Sequence, residues 1–281
     1  MVNSYQALLC EGAEALSNHS DTARLDAEVL LAYIIRKERV WFAIHSKEAP
    51  DEKTVLDFQN LIKRRKSGEP VAYITGTREF MGLPFKVKKG ILIPRPDTET
   101  LVEAILNEKL PQNSKILDLC TGSGAIAVSL AYYMKSCSVC AVDISDICIK
   151  TATENAEING VLSRVEFRQA DILSDELHLE KADVLVSNPP YIESAELADL
   201  MKDVKDFEPS LALDGGNDGL VFYRKIISLL PQLLNPGGLV AFEVGHNQAD
   251  SVCDILKEQG CTDIKTLCDL AGIRRVVMAH K

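Results

Sequence analysis

Through residues 1–75 apolar positions recur three or four apart, the spacing that lays one face of a helix on a core. Leu8, Leu9, Ala13 and Leu16 form one stripe, and Leu25, Val29, Leu30, Tyr33 and Ile34 a second, with Asp21 placed to cap its start. A third runs from Asp51 through Val55, Phe58, Leu61 and Ile62 to a stop at Gly68. Trp41, amid Val40-Trp-Phe-Ala-Ile, reads as core of this helical domain. The period then changes. Pro70, Gly76, Gly82, Pro84 and Gly90 punctuate a stretch in which Glu79-Phe80-Met81 and Phe85-Lys86-Val87-Lys88 read as short strands about a turn, a hairpin linker over residues 76–92. From residue 97 strand and helix alternate: strands at Lys115–Cys120, Ser138–Asp143, Val165–Arg168, Ala182–Ser187 and Leu239–Val244, and helices at Ala125–Tyr133, Ser145–Asn159, Val221–Leu234 and Gln248–Gln259. Such alternation predicts an α/β domain over 93–281 with a doubly wound, parallel sheet and ligands at the carboxyl ends of its strands.

Composition narrows the class. The chain has 281 residues, 46% hydrophobic and 26% charged, enough for two cores. No apolar run is long enough to span a bilayer, and Glu11 and Glu14 stand where a signal peptide would be basic and then apolar. Its 8 cysteines are scattered through a chain that needs no staples, so reduced thiols and a cytoplasmic location are expected. The net charge of −10 is uneven: +2 over residues 1–90 and −12 over 91–281. An acidic larger domain disfavours nonspecific nucleic-acid binding. The dense basic run Lys63-Arg64-Arg65-Lys66 is expected to be a solvated helix end.

Two motifs carry candidate chemistry. In Asp118-Leu-Cys-Thr-Gly-Ser-Gly-Ala-Ile-Ala127, at a strand-to-helix turn, Gly122 and Gly124 allow close backbone approach, and the helix start offers free N–H groups. Asp143 ends the next strand, where a carboxylate can accept both hydroxyls of a ribose. These features indicate a nucleoside cofactor and also fit a dinucleotide fingerprint or a plain tight turn. Asp118, a carboxylate just before the turn, favours a cationic cofactor such as S-adenosylmethionine over a diphosphate. Asp171 is placed either to accept from an adenine amino group or to cap a turn.

The second motif, Asn188-Pro-Pro-Tyr191, follows the apolar strand Val184-Leu-Val-Ser. Two prolines end the strand and present carbonyls without competing N–H donors. A planar NH2 group in this corner could donate to the Asn188 side-chain oxygen and to the Pro189 carbonyl, with Tyr191 on its face. That arrangement would select an amide or an aromatic amine; two acceptors would bias a delocalised amide nitrogen toward pyramidal geometry, in line with an electrophilic methyl, without a Ser, Cys or His nucleophile.

Other candidates are weaker. Cys137-Ser-Val-Cys140 has metal-ligand spacing but no second pair, and the five histidines form no pair at ligand spacing, so no metal is expected. Phe207-Glu-Pro with Asp214-Gly-Gly-Asn-Asp-Gly219 is either a plain connection or a wall of the cleft.

On these residues the chain resembles the amino-methylating class I methyltransferases. Ile93-Pro-Arg-Pro-Asp-Thr-Glu99, Arg78-Glu-Phe-Met, Phe207-Glu-Pro and Leu213-Asp-Gly-Gly make it similar, over essentially its whole length, to the bacterial release-factor glutamine methyltransferases of the HemK/PrmC family. The resemblance implies a seven-stranded, mostly parallel methyltransferase sheet behind a small helical domain and a β-hairpin. It also implies an enzyme that moves a methyl from S-adenosyl-L-methionine to the side-chain nitrogen of the glutamine in the Gly-Gly-Gln tripeptide of peptide chain release factors; a monomer is expected. Carried over by motif, Asp118, Cys120, Thr121, Gly122, Ser123, Gly124, Asp143, Asp171, Ile172 and Asn188 would bind the cofactor. Asn188, Pro189, Pro190 and Tyr191 would grip the glutamine amide, with the Pro94–Glu99 segment at the cleft edge and its Arg95 and Pro96 toward the substrate. Cys120 replaces a loop glycine of many members, and Ile172 stands where an aromatic ring can stack on adenine. The rivals are an adenine N6-methyltransferase acting on DNA or RNA, a glutamine methyltransferase for another protein, and a noncatalytic binding module on the same fold.

Overall fold

The computed structural model describes residues 4–174 and 177–281. The chain forms two compact units, residues 1–77 with 201–207, and residues 78–200 with 208–281. The first is helical: α1 Tyr5–Leu16, α2 Ala23–Ile35, α3 Phe42–His45, α4 Glu52–Lys66 and α5 Val71–Thr75. Ser4 caps α1 and Asp51 caps α4, each accepting a first-turn N–H. Leu8, Leu9, Leu16, Leu30, Leu31, Phe58 and Ile62 make the core, and Trp41 is half-buried against it, its ring stacked on His45.

Three expectations for this unit are corrected. Leu25 and Tyr33 of the second stripe are exposed, and α2 buries Ala27 and Leu31 beside Leu30 instead. Asp21 does not cap α2; Thr22 occupies that position and donates its hydroxyl to Asp26 at 2.9 Å. The basic run is not wholly solvated, because Arg65 is buried and its Nε donates to Asp26 at 2.7 Å. Ser20 donates to the same carboxylate oxygen, so the turn before α2 and the end of α4 share one polar knot.

The second unit holds the hairpin and the α/β sheet. Strands β1 Thr77–Phe80 and β2 Leu83–Lys86 meet at Met81-Gly82, both with positive φ, a two-residue hairpin turn. Met81 therefore belongs to the turn rather than to the first strand. Then follow α6 Glu99–Leu106, β3 Lys115–Leu119, α7 Ala125–Tyr133, β4 Ser138–Asp143, α8 Asp146–Ile158, β5 Val165–Gln169 and β6 Ala182–Ser187. Helix α9, Lys202–Phe207, returns to the helical unit, a detour without a periodic apolar signal. Last come α10 Val221–Leu233, β7 Leu234–Glu243, α11 Ala249–Glu258, β8 Thr262–Cys268 and β9 Arg274–His280.

The sheet order is β5-β4-β3-β6-β7-β9-β8, parallel except for β9, which runs antiparallel to both its neighbours. The seven-stranded, mostly parallel sheet, the helical amino-terminal region and the separate hairpin agree with the sequence-based expectation. The closing pair β8 and β9 carries no helical interval between its strands and was not read from the pattern. Apolar clusters cover both faces of the sheet. Winding reverses about β3, where the carboxyl ends of β3 and β6 open a crevice. Among the described residues no helix is long and apolar enough to cross a membrane.

Candidate active site

A cavity of about 320 Å³ lies at that crevice, within the second unit. Its wall comes from four strand ends: Cys120–Ser123 after β3, Asp143–Ser145 after β4, Ala170–Leu173 after β5, and Asn188 with Pro190 after β6. Leu92, Pro94, Arg95 and Thr98 supply one rim, and Pro209, Leu211, Ala212 and Phe222 another. The size suits a nucleoside-sized ligand.

The loop after β3 is held from three sides. Asp118 is fully buried beneath it and accepts the Thr121 hydroxyl at 2.6 Å; burial pushes its pKa up to about 7. Asp143 accepts the Gly122 N–H on Oδ2 at 2.8 Å and the Ser145 N–H on Oδ1 at 2.9 Å, while burial raises its pKa. Asn155 of α8, buried, donates to the Ser123 carbonyl and the Lys86 carbonyl and accepts the Lys86 N–H, pinning the loop to the hairpin. The two glycines divide the work. A Cβ on Gly122, φ +57°, would meet open space, whereas one on Gly124, φ +78°, would lie 2.8 Å from the Ala152 Cβ. Gly122 leaves room for a ligand; Gly124 admits α8. Cys120 takes φ +62°, a left-handed conformation that glycine adopts far more readily.

Asn188 and the prolines begin directly where β6 ends, and their backbone is buttressed. A Cβ on Gly215 would lie 2.7 Å from the Tyr191 Cα, so the Asp214–Gly219 loop packs as a wall against the motif. Gln248 donates to the Tyr191 carbonyl at 2.8 Å and accepts the Gly245 N–H. The Asn188 Nδ2 donates to the Thr98 hydroxyl at 3.3 Å.

Of the residues expected at the site, Cys120, Thr121, Gly122, Ser123, Asp143, Asp171, Ile172, Asn188, Pro190 and Arg95 line the one cavity. Arg95 also pairs with buried Glu208 at 2.6 Å. Five lie outside its wall. Asp118 and Gly124 support the loop from behind, and Pro189 is buried beside the lining residues. Tyr191 turns its phenol to Glu243, a long 3.5 Å contact, and exposed Pro96 starts the short turn Pro96–Thr98. Asp171 is exposed at the cavity edge, and its Oδ1 accepts the Leu173 N–H at 2.8 Å, the turn-capping arrangement.

The comparisons with known proteins agree with this geometry. Residues 7–76 match the PrmC N-terminal domain and residues 96–207 the methyltransferase small domain. A release factor glutamine methyltransferase of Clostridium acetobutylicum is 44% identical over 90% of either chain. One of Clostridium botulinum is 42% identical over 98% of either chain, and one of Aliivibrio fischeri 38% identical over 99% of this chain and 97% of its own.

The chain belongs to the release factor glutamine methyltransferase family. It is an S-adenosylmethionine-dependent methyltransferase. A methyltransferase of Pyrococcus furiosus shares the fold, with a TM-score of 0.56 at 18% identity over 79% of this chain and 98% of that one. In this methyltransferase the residues present fit the cofactor: open space at Gly122, the Asp143 carboxylate with lone pairs left over, and an aliphatic wall at Ile172.

Sequence reasoning missed Asn155, Gln248 and Glu243, and reached Thr98 only as part of the Pro94–Glu99 segment at the cleft edge. Glu243 ends the apolar run of β7 and is 2% exposed, with the Thr98 hydroxyl and Tyr191 phenol as its polar neighbours. A charged residue closing an apolar strand at the ligand end of a sheet is the signal that could have found it.

Proposed function

We propose that this enzyme methylates the side-chain amide nitrogen, N5, of the glutamine in the Gly-Gly-Gln tripeptide of peptide chain release factors. The observation that carries the reading is that Asn188 shares one cavity wall with Gly122 and Asp143, so an amide held by the first lies beside a nucleoside held by the others. The Asn188 side-chain oxygen and the Pro189 carbonyl accept the two amide hydrogens, and Tyr191 steadies the corner. Asp143 accepts from the ribose hydroxyls with the lone pairs not used by Gly122 and Ser145. Ile172 and Ala170 pack on the base, and Asp171 stands at its edge. The cofactor, when bound, supplies an electrophilic methyl on a sulfonium. The protein holds the amide nitrogen in line with it, excludes water with Pro94, Leu211 and Phe222, and leaves the nitrogen's proton to pass to solvent after transfer.

The names of the relatives support a release factor as substrate. In this reading residues 1–75 dock that protein, residues 76–92 link, and residues 93–281 carry the chemistry; the enzyme works as a cytoplasmic monomer. Its net charge of −10 opposes a polynucleotide partner. Asn188→Ala is expected to abolish turnover while sparing cofactor affinity measured by calorimetry. Equal loss of both would remove the assigned role.

A further inference from the structure

Asn188 can do its work only with its oxygen turned to the incoming amide. A side-chain amide presents an acceptor at one end and donors at the other, so a half-turn would put NH2 against NH2. Something must fix the turn. The Asn188 Nδ2 donates to the Thr98 hydroxyl at 3.3 Å, and Thr98 is buried. A hydroxyl that accepts from Asn188 still has one hydrogen to give. Behind it lies the Glu243 carboxyl, buried, its Oε1 3.5 Å from the Tyr191 phenol and its Oε2 without a hydrogen-bond partner among the described residues.

We propose that Glu243 is a positioning residue which, through the Thr98 hydroxyl, sets the end of the Asn188 amide that faces the substrate. The inference rests on the reading that Asn188 grips an amide. An ionised carboxylate only accepts, so Thr98 gives its hydrogen to Glu243 and must accept from the Asn188 NH2, leaving the Asn188 oxygen for the substrate. A protonated Glu243 can donate to Thr98 instead; Thr98 then gives its hydrogen to the Asn188 oxygen and turns the NH2 toward the substrate. One proton thus separates a receptive corner from a blocked one.

The other groups facing Glu243 are Tyr191, Asp97 and Arg275, and Tyr223 donates to its backbone carbonyl at 2.7 Å. Burial pushes the Glu243 carboxyl up to about 7, against the pull of Thr98 and Arg275, so the switch lies near neutral pH. The Asn188 side-chain NH2 resonance, assigned by its loss in Asn188→Asp, should titrate near pH 7 in the wild type and stay constant in Glu243→Gln and Thr98→Val. In the same proteins, kcat should fall on the acid side of that pH in the wild type alone. Thr98→Val should lose about tenfold in kcat with cofactor affinity unchanged, and Thr98→Ser should restore it. A resonance that ignores pH in the wild type, or still titrates in Thr98→Val, overturns the proposal. Because the resonance needs no substrate, a wild type that titrates yet methylates no release factor would retire the release factor as substrate while leaving the orientation of the Asn188 amide standing.

Discussion

The Asp143 carboxylate accepts the Gly122 N–H at 2.8 Å, so the group that ends β4 holds the loop that follows β3. One side chain shapes the loop, and in the proposed function its remaining lone pairs serve the ribose of the cofactor. Asp143→Ala should therefore raise the dissociation constant for S-adenosylmethionine by about 10- to 100-fold, the loss expected for hydrogen bonds to a charged group. Calorimetric titration measures it. An unchanged constant would place the ribose elsewhere.

The loop glycines should separate stability from binding. Gly124→Ala pushes a methyl to 2.8 Å from Ala152 and keeps a positive φ, and should cost about 3 kcal/mol or more of stability. Gly122→Ala meets nothing within 4 Å and should cost only about 1–2 kcal/mol, yet weaken the cofactor by filling its space. Urea unfolding and cofactor titration of both variants check the contrast.

In the helical unit, Asp26→Ala leaves buried Arg65 with only its longer 3.9 Å pair to Asp203, and about 3 kcal/mol of destabilisation is expected. The exposed pair Lys150–Asp146 offers the control; Lys150→Ala should change stability by less than about 1 kcal/mol. Chemical denaturation of each protein distinguishes them.

Much of the fold was legible because helical and strand-and-helix periods are local. The stripes containing Leu8 and Phe58, the apolar strand before Asn188 and the glycine loop each show within a few residues. Asp26 with Arg65, Asn155 with Lys86 and Glu243 with Thr98 join positions far apart in the chain, and no window holds both partners. Helix α9 escaped for the same reason, since its packing is decided by residues more than a hundred positions earlier. The cavity wall was legible through Gly122, Asp143 and Asn188; that Asp118 and Tyr191 stand behind it follows only from the way the strand ends turn.

The buried carboxyls should make stability depend on pH. Burial raises Asp118 from 3.8 to about 7, so the folded state keeps a proton that the unfolded chain has already released. The stability this group contributes is complete below about pH 4 and is lost as pH rises through about 7, on the order of 4 kcal/mol. Asp118→Asn removes that dependence. Relative to the wild type it should gain stability between about pH 4 and 8. Equal differences at both pH values would contradict the burial argument.

The central claim is most directly tested by transfer of labelled methyl from S-adenosylmethionine to a purified release factor, beside its Gly-Gly-Gln to Gly-Gly-Ala variant and an adenine-containing DNA, with peptide mapping of the product. The account predicts label on the glutamine of the first substrate alone. Label on the DNA, or on the release factor irrespective of that glutamine, would contradict it.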